Sequence, residues 1–186
     1  DCKRIRGNIF RRPPRELSLP SDFDYSEGGY LPEIDFQCGA INFLKAPTGS
    51  GKTEAVARWT QKEISKGHSA LCITNRISTG RESAKRLGIP YVEDSAYKDR
   101  SKGVAFCVES CKHDGRVGLR TTAHPDVERL EDSTAAGKHV IITEVDQVLW
   151  QLLVGNTCRK DRAKIVQTFR GVIRDAIDSG YAVVVD

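Results

Sequence analysis

The sequence predicts an α/β domain in which a central, mostly parallel sheet is flanked by helices. From about Phe36 onward, short apolar runs alternate with segments whose apolar residues recur at helical spacing. This alternation is typical of parallel strands joined by crossover helices. Several of the apolar runs are continuous, which indicates strands that are buried on both faces. The length favours one domain, which we place at residues 36–186.

Five apolar runs are expected to form the strands. In chain order they are AINFLKA, SALCITN, GVAFCV, HVIIT and YAVVV. Helical patterns follow the first run from Thr53 to about Lys66, and the second from about Thr79 to Leu87. A further helix is predicted in VDQVLWQLL, and another in RAKIVQTFRGVIRDAIDSG, where Ser179 and Gly180 are a typical helix stop.

Residues 1–35 are predicted to be an arm that lies over the domain or remains mobile, because they are rich in Pro, Arg, Ser and Asp. Residues 1–16 hold six basic and two acidic side chains, which accounts for the net charge of +4. Such an arm can bind phosphates in a salt-dependent way. It can equally be a solvated terminus, and both interpretations stay open.

Composition excludes several classes of protein. The chain is 39% hydrophobic and 29% charged, as in ordinary globular proteins, and no apolar run approaches the roughly 18 residues of a membrane span. We recognise no signal peptide. Six cysteines without a secretory signal indicate reduced thiols, so we expect a cytoplasmic protein that does not bind membranes.

Other residues with possible chemistry are interpreted conservatively. Cys107, Cys111 and His113 could ligate a metal, but a second ligand pair at zinc-site spacing is missing. The histidines His113, His124 and His139 show no ligand or triad spacing and are expected to be structural or solvated. Trp59 and Trp150 are expected to pack within amphipathic helices, and not to stack on bases.

The strongest chemical signal is APTGSGKT at residues 46–53. It matches the pattern of a phosphate-binding loop and stands between an apolar strand and a helix, as such a loop requires. Glycines at two positions allow successive backbone N–H groups to point at an anion, and the following helix adds the positive end of its dipole. The residues expected to bind the nucleotide are Pro47, Thr48, Gly49, Ser50, Gly51, Lys52 and Thr53.

Two side chains of this loop have distinct expected roles. Lys52 reaches the β and γ phosphates, and the Thr53 hydroxyl ligates Mg²⁺. The alternative is a Gly-Ser turn that happens to precede Lys-Thr. The strand before the loop and the helix after it favour nucleotide binding over that alternative.

The second signal is HVIITEVDQV at residues 139–148, an apolar strand that runs into an acidic turn. Nucleotide-hydrolysing enzymes usually hold an aspartate where this chain has Thr143. We expect Glu144 to orient or deprotonate the attacking water. Thr143 and Asp146 are predicted to face the metal, with a neutral hydroxyl in place of a charged ligand. Alternatively, Glu144 is a first-turn carboxylate that the helix dipole favours.

In these two motifs the sequence resembles the superfamily 2 helicases and translocases. Their first RecA-like domain carries a phosphate loop of the form A-x-x-G-x-G-K-T and a later D-E-x-D motif. The corresponding segments here are APTGSGKT and TEVD. The resemblance implies a RecA-like P-loop fold, ATP and Mg²⁺ as cofactors, and catalytic roles for Lys52 and Glu144. The sequence departs from the family pattern at Thr143, which bears on hydrolysis more than on nucleotide binding.

The order of segments also resembles the helicase-like region of cyanobacterial-type plasmid replication proteins, over roughly residues 30–186. The matching segments are LKAPTGSGKTE, ITNRISTG, RLGIPYV, FCVES, ITEVDQVLWQLLVGNTC and VVVD. Such proteins are similar to primase-helicases that act at replication origins. The resemblance implies DNA as a partner and a second RecA-like domain downstream, so that residues 36–186 are the first motor domain of a longer protein.

In superfamily 2, the loops after the second and third strands of this domain contact the nucleic-acid backbone. Carried over, the resemblance places Thr74, Asn75 and Arg76 of ITNRISTG on phosphates, together with Ser110 of CVES. Contacts of this type position a strand without reading its sequence. The alternative for Arg76 is a surface cation near the start of a helix.

The sequence thus predicts the ATP-binding motor domain of a DNA helicase or translocase that acts in plasmid or phage-type replication. The arginine finger is expected from the second domain, so the isolated fragment should turn ATP over weakly. Two alternatives remain. One is a nucleotide-gated DNA-binding module without hydrolysis, and the other is a P-loop phosphotransferase, which the lack of an Arg-rich lid segment disfavours.

Overall fold

The computed structural model describes residues 30–92, 101–112 and 137–186 of the chain. Five strands lie in this part: β1 (Ile41–Phe43), β2 (Ser69–Thr74), β3 (Gly103–Cys107), β4 (Lys138–Ile142) and β5 (Val183–Val185). They are accompanied by the helices α1 (Lys52–Ser65), α2 (Ile77–Leu87), α3 (Val145–Leu153) and α4 (Arg162–Asp178), and by a 3₁₀ helix at Val108–Lys112.

All five strands join one sheet, and every neighbouring pair is parallel. The order across the sheet is β1-β5-β4-β2-β3. Residue pairs such as Ile41 with Val183 and Ile141 with Val184 set the register. The predicted α/β fold, with a parallel sheet flanked by helices, is therefore confirmed. Each predicted strand and helix is present, with ends that differ by a few residues.

The continuous apolar runs are explained by burial on both faces of the sheet. In β2 and β4, each residue after the first is buried, and β3 is buried throughout. Side chains such as Ile73 and Phe106 are completely buried, and each contributes about 1.5–3 kcal/mol to stability. Truncating Phe106 to alanine is expected to cost about 3–5 kcal/mol because a cavity would remain.

The described end of the predicted arm packs on the domain. Leu31 is buried, and its backbone N–H donates to the Ser50 carbonyl at 2.8 Å. Its own carbonyl accepts from Arg58 Nη2 at 2.9 Å. The Phe36 ring meets the Trp59 ring edge to face, with centroids 5.0 Å apart. Residues 30–35 therefore lie against the phosphate-loop stretch and the first turns of α1, whereas residues 1–29 fall outside the described part.

The burial of the tryptophan and cysteine side chains agrees with the predictions at some positions and differs at others. Trp59 is buried, as predicted, but Trp150 on α3 is 62% exposed. The prediction that Trp150 is a packing residue is therefore wrong, because no other described residue covers most of its side chain. Cys72 and Cys107 are buried as expected, whereas Cys38 is exposed in a turn.

Among the described residues, the helices are too short or too polar for any of them to span a membrane.

Candidate functional site

The phosphate-loop stretch and the acidic turn meet at one edge of the sheet. β1 leads into the loop, β4 leads into the acidic turn, and β5 lies between these two strands. The carboxyl ends of all three border an open cleft of about 1240 Å³. Ligands of open parallel sheets bind outside the carboxyl ends of the strands, so this cleft lies where the fold favours a binding site.

The loop requires glycine at two positions. Gly49 and Gly51 have φ angles of 84° and 79°, which side chains with a Cβ rarely adopt. At Gly51 space is also limiting, because an added Cβ would lie 2.6 Å from Cδ1 of the Tyr30 ring. A positive-φ glycine loop at a helix start forms a concave set of N–H groups, which is an anion cradle.

The start of α1 strengthens this cradle. Gly51 is the N-cap, and no side chain in the described part of the chain caps the first turn. The first N–H groups of the helix and the positive end of its dipole are therefore available to an anion. Lys52 and Thr53 both border the cleft.

Lys52 and Ser50 show that the loop has unused polar capacity. The Lys52 ammonium donates to the Ala46 carbonyl at 2.6 Å, so it lies across the loop. The Ser50 hydroxyl is buried and has no hydrogen-bond partner among the described residues. An ammonium, several N–H groups and hydroxyls together suit a polyphosphate, and the Thr53 oxygen suits a hard cation such as Mg²⁺. The residues present therefore fit a magnesium nucleotide.

On the acidic side of the cleft, Glu144 has a strained backbone. Its φ and ψ angles are 53° and 51°, and among the described residues it alone has a positive φ without being glycine. A left-handed conformation costs a residue with a Cβ about 1–2 kcal/mol. Such strain persists only where the surroundings impose it, and it concentrates at functional sites.

Asp186 accepts two hydrogen bonds from the Glu144 turn. Its Oδ1 accepts from the Glu144 N–H at 3.0 Å, and its backbone oxygen accepts from the Val145 N–H at 3.0 Å. Burial raises the pKa of the Asp186 carboxyl, although the Glu144 hydrogen bond and the Lys52 charge act against this shift. Asp186 borders the cleft. The sequence prediction missed this residue because only its place at the end of a strand was visible.

Thr143 lies elsewhere than the sequence pattern suggested. Its N–H donates to the Ile73 carbonyl at 3.2 Å, so it continues the pairing of β4 with β2. Its side chain is only 5% exposed, and the hydroxyl has no hydrogen-bond partner among the described residues. Thr143 is absent from the described residues that border the cleft, whereas Glu144 and Asp146 are present. This placement does not support a metal-facing role for Thr143.

The four predicted nucleic-acid residues differ in accessibility. Thr74 is fully buried, and its hydroxyl donates to the Arg76 carbonyl at 3.1 Å. Asn75 is buried and donates from Nδ2 to Gln147 Oε1 at 2.6 Å. Arg76 is exposed at the start of α2, and Ser110 is half-buried. In this conformation Arg76 and Ser110 are accessible to a phosphate, whereas the side chains of Thr74 and Asn75 are buried.

Of the two cysteines considered for a metal, Cys111 is fully buried. Burial raises the pKa of the Cys111 thiol to about 12, whereas a metal ligand must be a thiolate. His113 and His124 lie outside the described residues.

A second group of titratable side chains lies at the opposite edge of the sheet. The ligand atoms of Glu63, His68 and His139 are within 4.8 Å of one another. However, His139 Nδ1 accepts a hydrogen bond from the Ala182 N–H at 3.1 Å, so in the neutral ring Nε2 carries the proton. A metal-binding histidine instead keeps one nitrogen free and donates from the other. The geometry therefore favours a structural role for His139, in line with the sequence interpretation.

Comparisons with known proteins give one partial similarity. The chain is 32% identical, over 143 residues, to an uncharacterized protein of Picosynechococcus sp.. The match covers 75% of this chain but only 13% of that protein. No model of a known protein family matches the chain.

Proposed function

We propose that the chain is a magnesium-dependent ATP-binding domain of the RecA-like type, and that it serves as the first motor domain of a DNA helicase or translocase in plasmid or phage-type replication. One observation carries the proposal. A glycine-rich anion cradle with Lys52 faces the strained Glu144 across a single cleft at the carboxyl ends of β1, β5 and β4. The parallel sheet and its helices are compatible with a RecA-like fold.

The residues of the cleft have complementary roles in this proposal. The N–H groups of the loop and the start of α1 hold the phosphates, and Lys52 exchanges the Ala46 carbonyl for β and γ phosphate oxygens. Thr53 holds Mg²⁺, which neutralises charge on those oxygens when bound. Glu144 orients the attacking water and accepts its proton.

A contact between the loop after β2 and the acidic turn supports coupling to nucleic acid. Asn75 begins the short loop that leads from β2 into α2, and Gln147, its hydrogen-bond partner, borders the cleft. Arg76 is adjacent to Asn75 and exposed. A nucleotide that moves the Glu144 turn therefore has a direct polar connection to a cation that can hold a nucleic-acid phosphate.

The length of the relative is consistent with a motor built from more than one domain. The matched region is a small part of that protein, which leaves room for a second RecA-like domain. In the proposal, that domain supplies an arginine finger, and such residues accelerate hydrolysis by about 10³–10⁵. The isolated chain should therefore bind ATP but hydrolyse it slowly.

The test is ATP binding by the purified chain, followed by steady-state ATPase assays with and without single-stranded DNA. Binding that requires Lys52, together with turnover that DNA stimulates, supports the motor. Turnover that a small-molecule phosphate acceptor stimulates, and DNA does not, would favour a phosphotransferase. The absence of nucleotide binding would refute the proposal.

A second candidate is a nucleotide-gated DNA-binding module that does not hydrolyse ATP. It rests on the sequence of the acidic motif, in which the uncharged Thr143 stands where nucleotide-hydrolysing enzymes usually have an aspartate. In this case ATP should raise the affinity for DNA, and ATPase activity should stay at background even when the longer protein, including the second domain, is assayed. DNA-stimulated turnover by that longer protein excludes this candidate.

A further inference from the structure

The acidic motif lacks a carboxylate at position 143, but the cleft contains one on the neighbouring strand. β5 lies between the strand that leads to the phosphate loop and the strand that leads to Glu144. Asp186 follows β5 directly and borders the same cleft as Lys52, Thr53 and Glu144. Position 143 is one strand farther from the loop and its side chain is buried.

The Asp186 carboxylate has capacity for a second interaction. Its Oδ1 accepts the Glu144 N–H at 3.0 Å, which uses one of the roughly four acceptor sites of a carboxylate. The same carboxylate feels the positive charge of Lys52. A magnesium ion held by Thr53 and by phosphates on Lys52 would be bound in the cleft that the Asp186 carboxylate borders.

We propose that Asp186, and not residue 143, supplies the protein carboxylate that faces the nucleotide-bound Mg²⁺, while the same residue holds the Glu144 turn in its left-handed conformation. This inference rests on the proposed function, because it assumes a magnesium nucleotide in the cleft. Asp186 would supply negative charge to the metal as an outer partner, without replacing Thr53 as its protein ligand. Asp186, which follows β5, thus supplies the negative charge that the acidic motif lacks at position 143.

Asp186 could instead have a purely structural role, as the acceptor of the Glu144 N–H. One substitution distinguishes this role from an interaction with the metal. In Asp186→Asn the amide oxygen can still accept the Glu144 N–H, and the backbone contacts do not depend on the side chain. Only the negative charge is lost. Asp186→Ala removes both the charge and the acceptor, so it is expected to disturb the Glu144 turn as well.

The experiment measures the affinity of the chain for a fluorescent ATP analogue in EDTA and in excess Mg²⁺. The dissociation constant in EDTA divided by the dissociation constant in Mg²⁺ gives the contribution of the metal to binding. In Asp186→Asn this ratio should fall at least tenfold, as for the loss of an outer-shell metal partner, while the affinity in EDTA stays at the parental value or rises. Asp178→Asn, an exposed carboxylate at the end of α4, should leave both affinities unchanged.

Thr143→Asp provides the opposite test. If position 143 is away from the metal, this substitution should not raise the magnesium contribution, and it should lower the melting temperature because it buries a charge. Manganese bound with the nucleotide, followed by electron paramagnetic resonance, gives a readout that does not depend on turnover. The manganese signal should change in Asp186→Asn and not in Thr143→Asp.

Two results would overturn the inference. One is an unchanged magnesium contribution in Asp186→Asn, and the other is equal weakening with and without metal, which would place Asp186 in the phosphate cradle. A parent chain that binds no nucleotide in either condition would instead refute the proposed function itself. Melting curves of Asp186→Asn without ligand should match those of the parent.

Discussion

The two edges of the sheet contain similar ionisable side chains in opposite environments, one in an open cleft and the other buried. At the carboxyl edge, Lys52, Glu144 and Asp186 border an open cleft. At the amino edge, Glu63 and His139 are buried against aromatic rings. Both edges therefore contain ionisable groups in close proximity, which alone does not distinguish a functional site from a structural one.

The groups at the amino edge are packed and paired. Glu63 contacts the Lys66 ammonium at 2.6 Å and His68 Nδ1 at 2.8 Å. The His139 ring lies edge to face against Trp59 and Tyr181, with centroids 4.8 and 5.0 Å away. The Ala182 N–H donates to His139 Nδ1 and so fixes the neutral tautomer of the ring. Together these contacts stabilise the fold.

The carboxyl edge has the opposite properties. Its backbone is strained at Glu144, and its ionisable groups border an open cleft. Native structures rarely keep such strain without a compensating gain. Strain beside an open cleft, and not the number of charges, makes this edge the candidate functional one.

The largest expected effect comes from the side chain of Glu144. With the proposed function, in a protein that includes the proposed second domain, Glu144→Gln should lower ATP turnover by about 10²–10⁴, because a general base is lost. Binding of ATP should be unchanged, since the amide keeps the size of the side chain. Steady-state ATPase assays and a binding titration measure the two effects. Parental turnover in this variant would remove Glu144 from the reaction.

The next effect concerns the anion cradle. A ligand at 100 times its dissociation constant stabilises a fold by about 2.7 kcal/mol, so Mg-ATP should raise the melting temperature of the parent chain. In Lys52→Ala this increase should be lost, because the phosphates lose their cation. Thermal unfolding with and without Mg-ATP measures it. Lys85→Ala, an exposed lysine on α2, should retain the full increase, and an identical increase in Lys52→Ala would contradict the prediction.

A third prediction tests whether the amino edge is purely structural. Burial lowers the pKa of His139 below its usual value of 6.5. The unfolded chain therefore binds more protons just below pH 6.5, and the stability that neutral His139 contributes is lost as the pH falls through this range. One such proton gives a slope of at most about 1.4 kcal/mol per pH unit. Glu63, whose pKa is lowered, adds a loss of stability at more acidic pH.

His139→Asn isolates this contribution. The asparagine oxygen can replace Nδ1 as the acceptor of the Ala182 N–H, but it does not titrate. We expect the free energy of unfolding to depend less on pH between about 6.5 and 5 in this variant. Urea unfolding at a series of pH values gives the slope. The neighbours of the ring are retained in this variant, so an unchanged slope would show that His139 is not the source of the acid sensitivity.

Local sequence patterns predicted the helices and strands, but they did not predict which residues of different elements contact one another. The phosphate loop, the strands and Glu144 were evident from the sequence because each depends on a short stretch of residues. Asp186 was not, since its importance depends on β5 lying between β1 and β4, and strand order is a tertiary property. Likewise, the burial of Thr143 depends on its pairing with Ile73, and not on the acidic motif around it.

Dependence on tertiary contacts also explains why the exposure of some side chains was predicted wrongly. An amphipathic pattern on α3 predicted that Trp150 is buried, but the helix buries Val148 and Leu152 and leaves Leu149, Trp150 and Leu153 exposed. Periodicity identifies an apolar face without stating which part of it finds a partner. The predicted arm shows the reverse case, because a Pro- and Asp-rich segment gave no indication that Leu31 would be buried.

The smallest effect tests the strain itself, which is the feature that most separates the two edges. Glycine adopts the left-handed conformation without the clash that a Cβ creates. Glu144→Gly should therefore be about 1 kcal/mol more stable than Glu144→Ala, which removes the same side chain but keeps the strain. This difference corresponds to about 2–4 °C in melting temperature for a domain of this size. Both variants should lack turnover, so the glycine variant would be more stable than the alanine variant and equally inactive. Equal melting temperatures for the two variants would mean that the turn is relaxed, and the assignment of the carboxyl edge would then rest on the phosphate cradle alone.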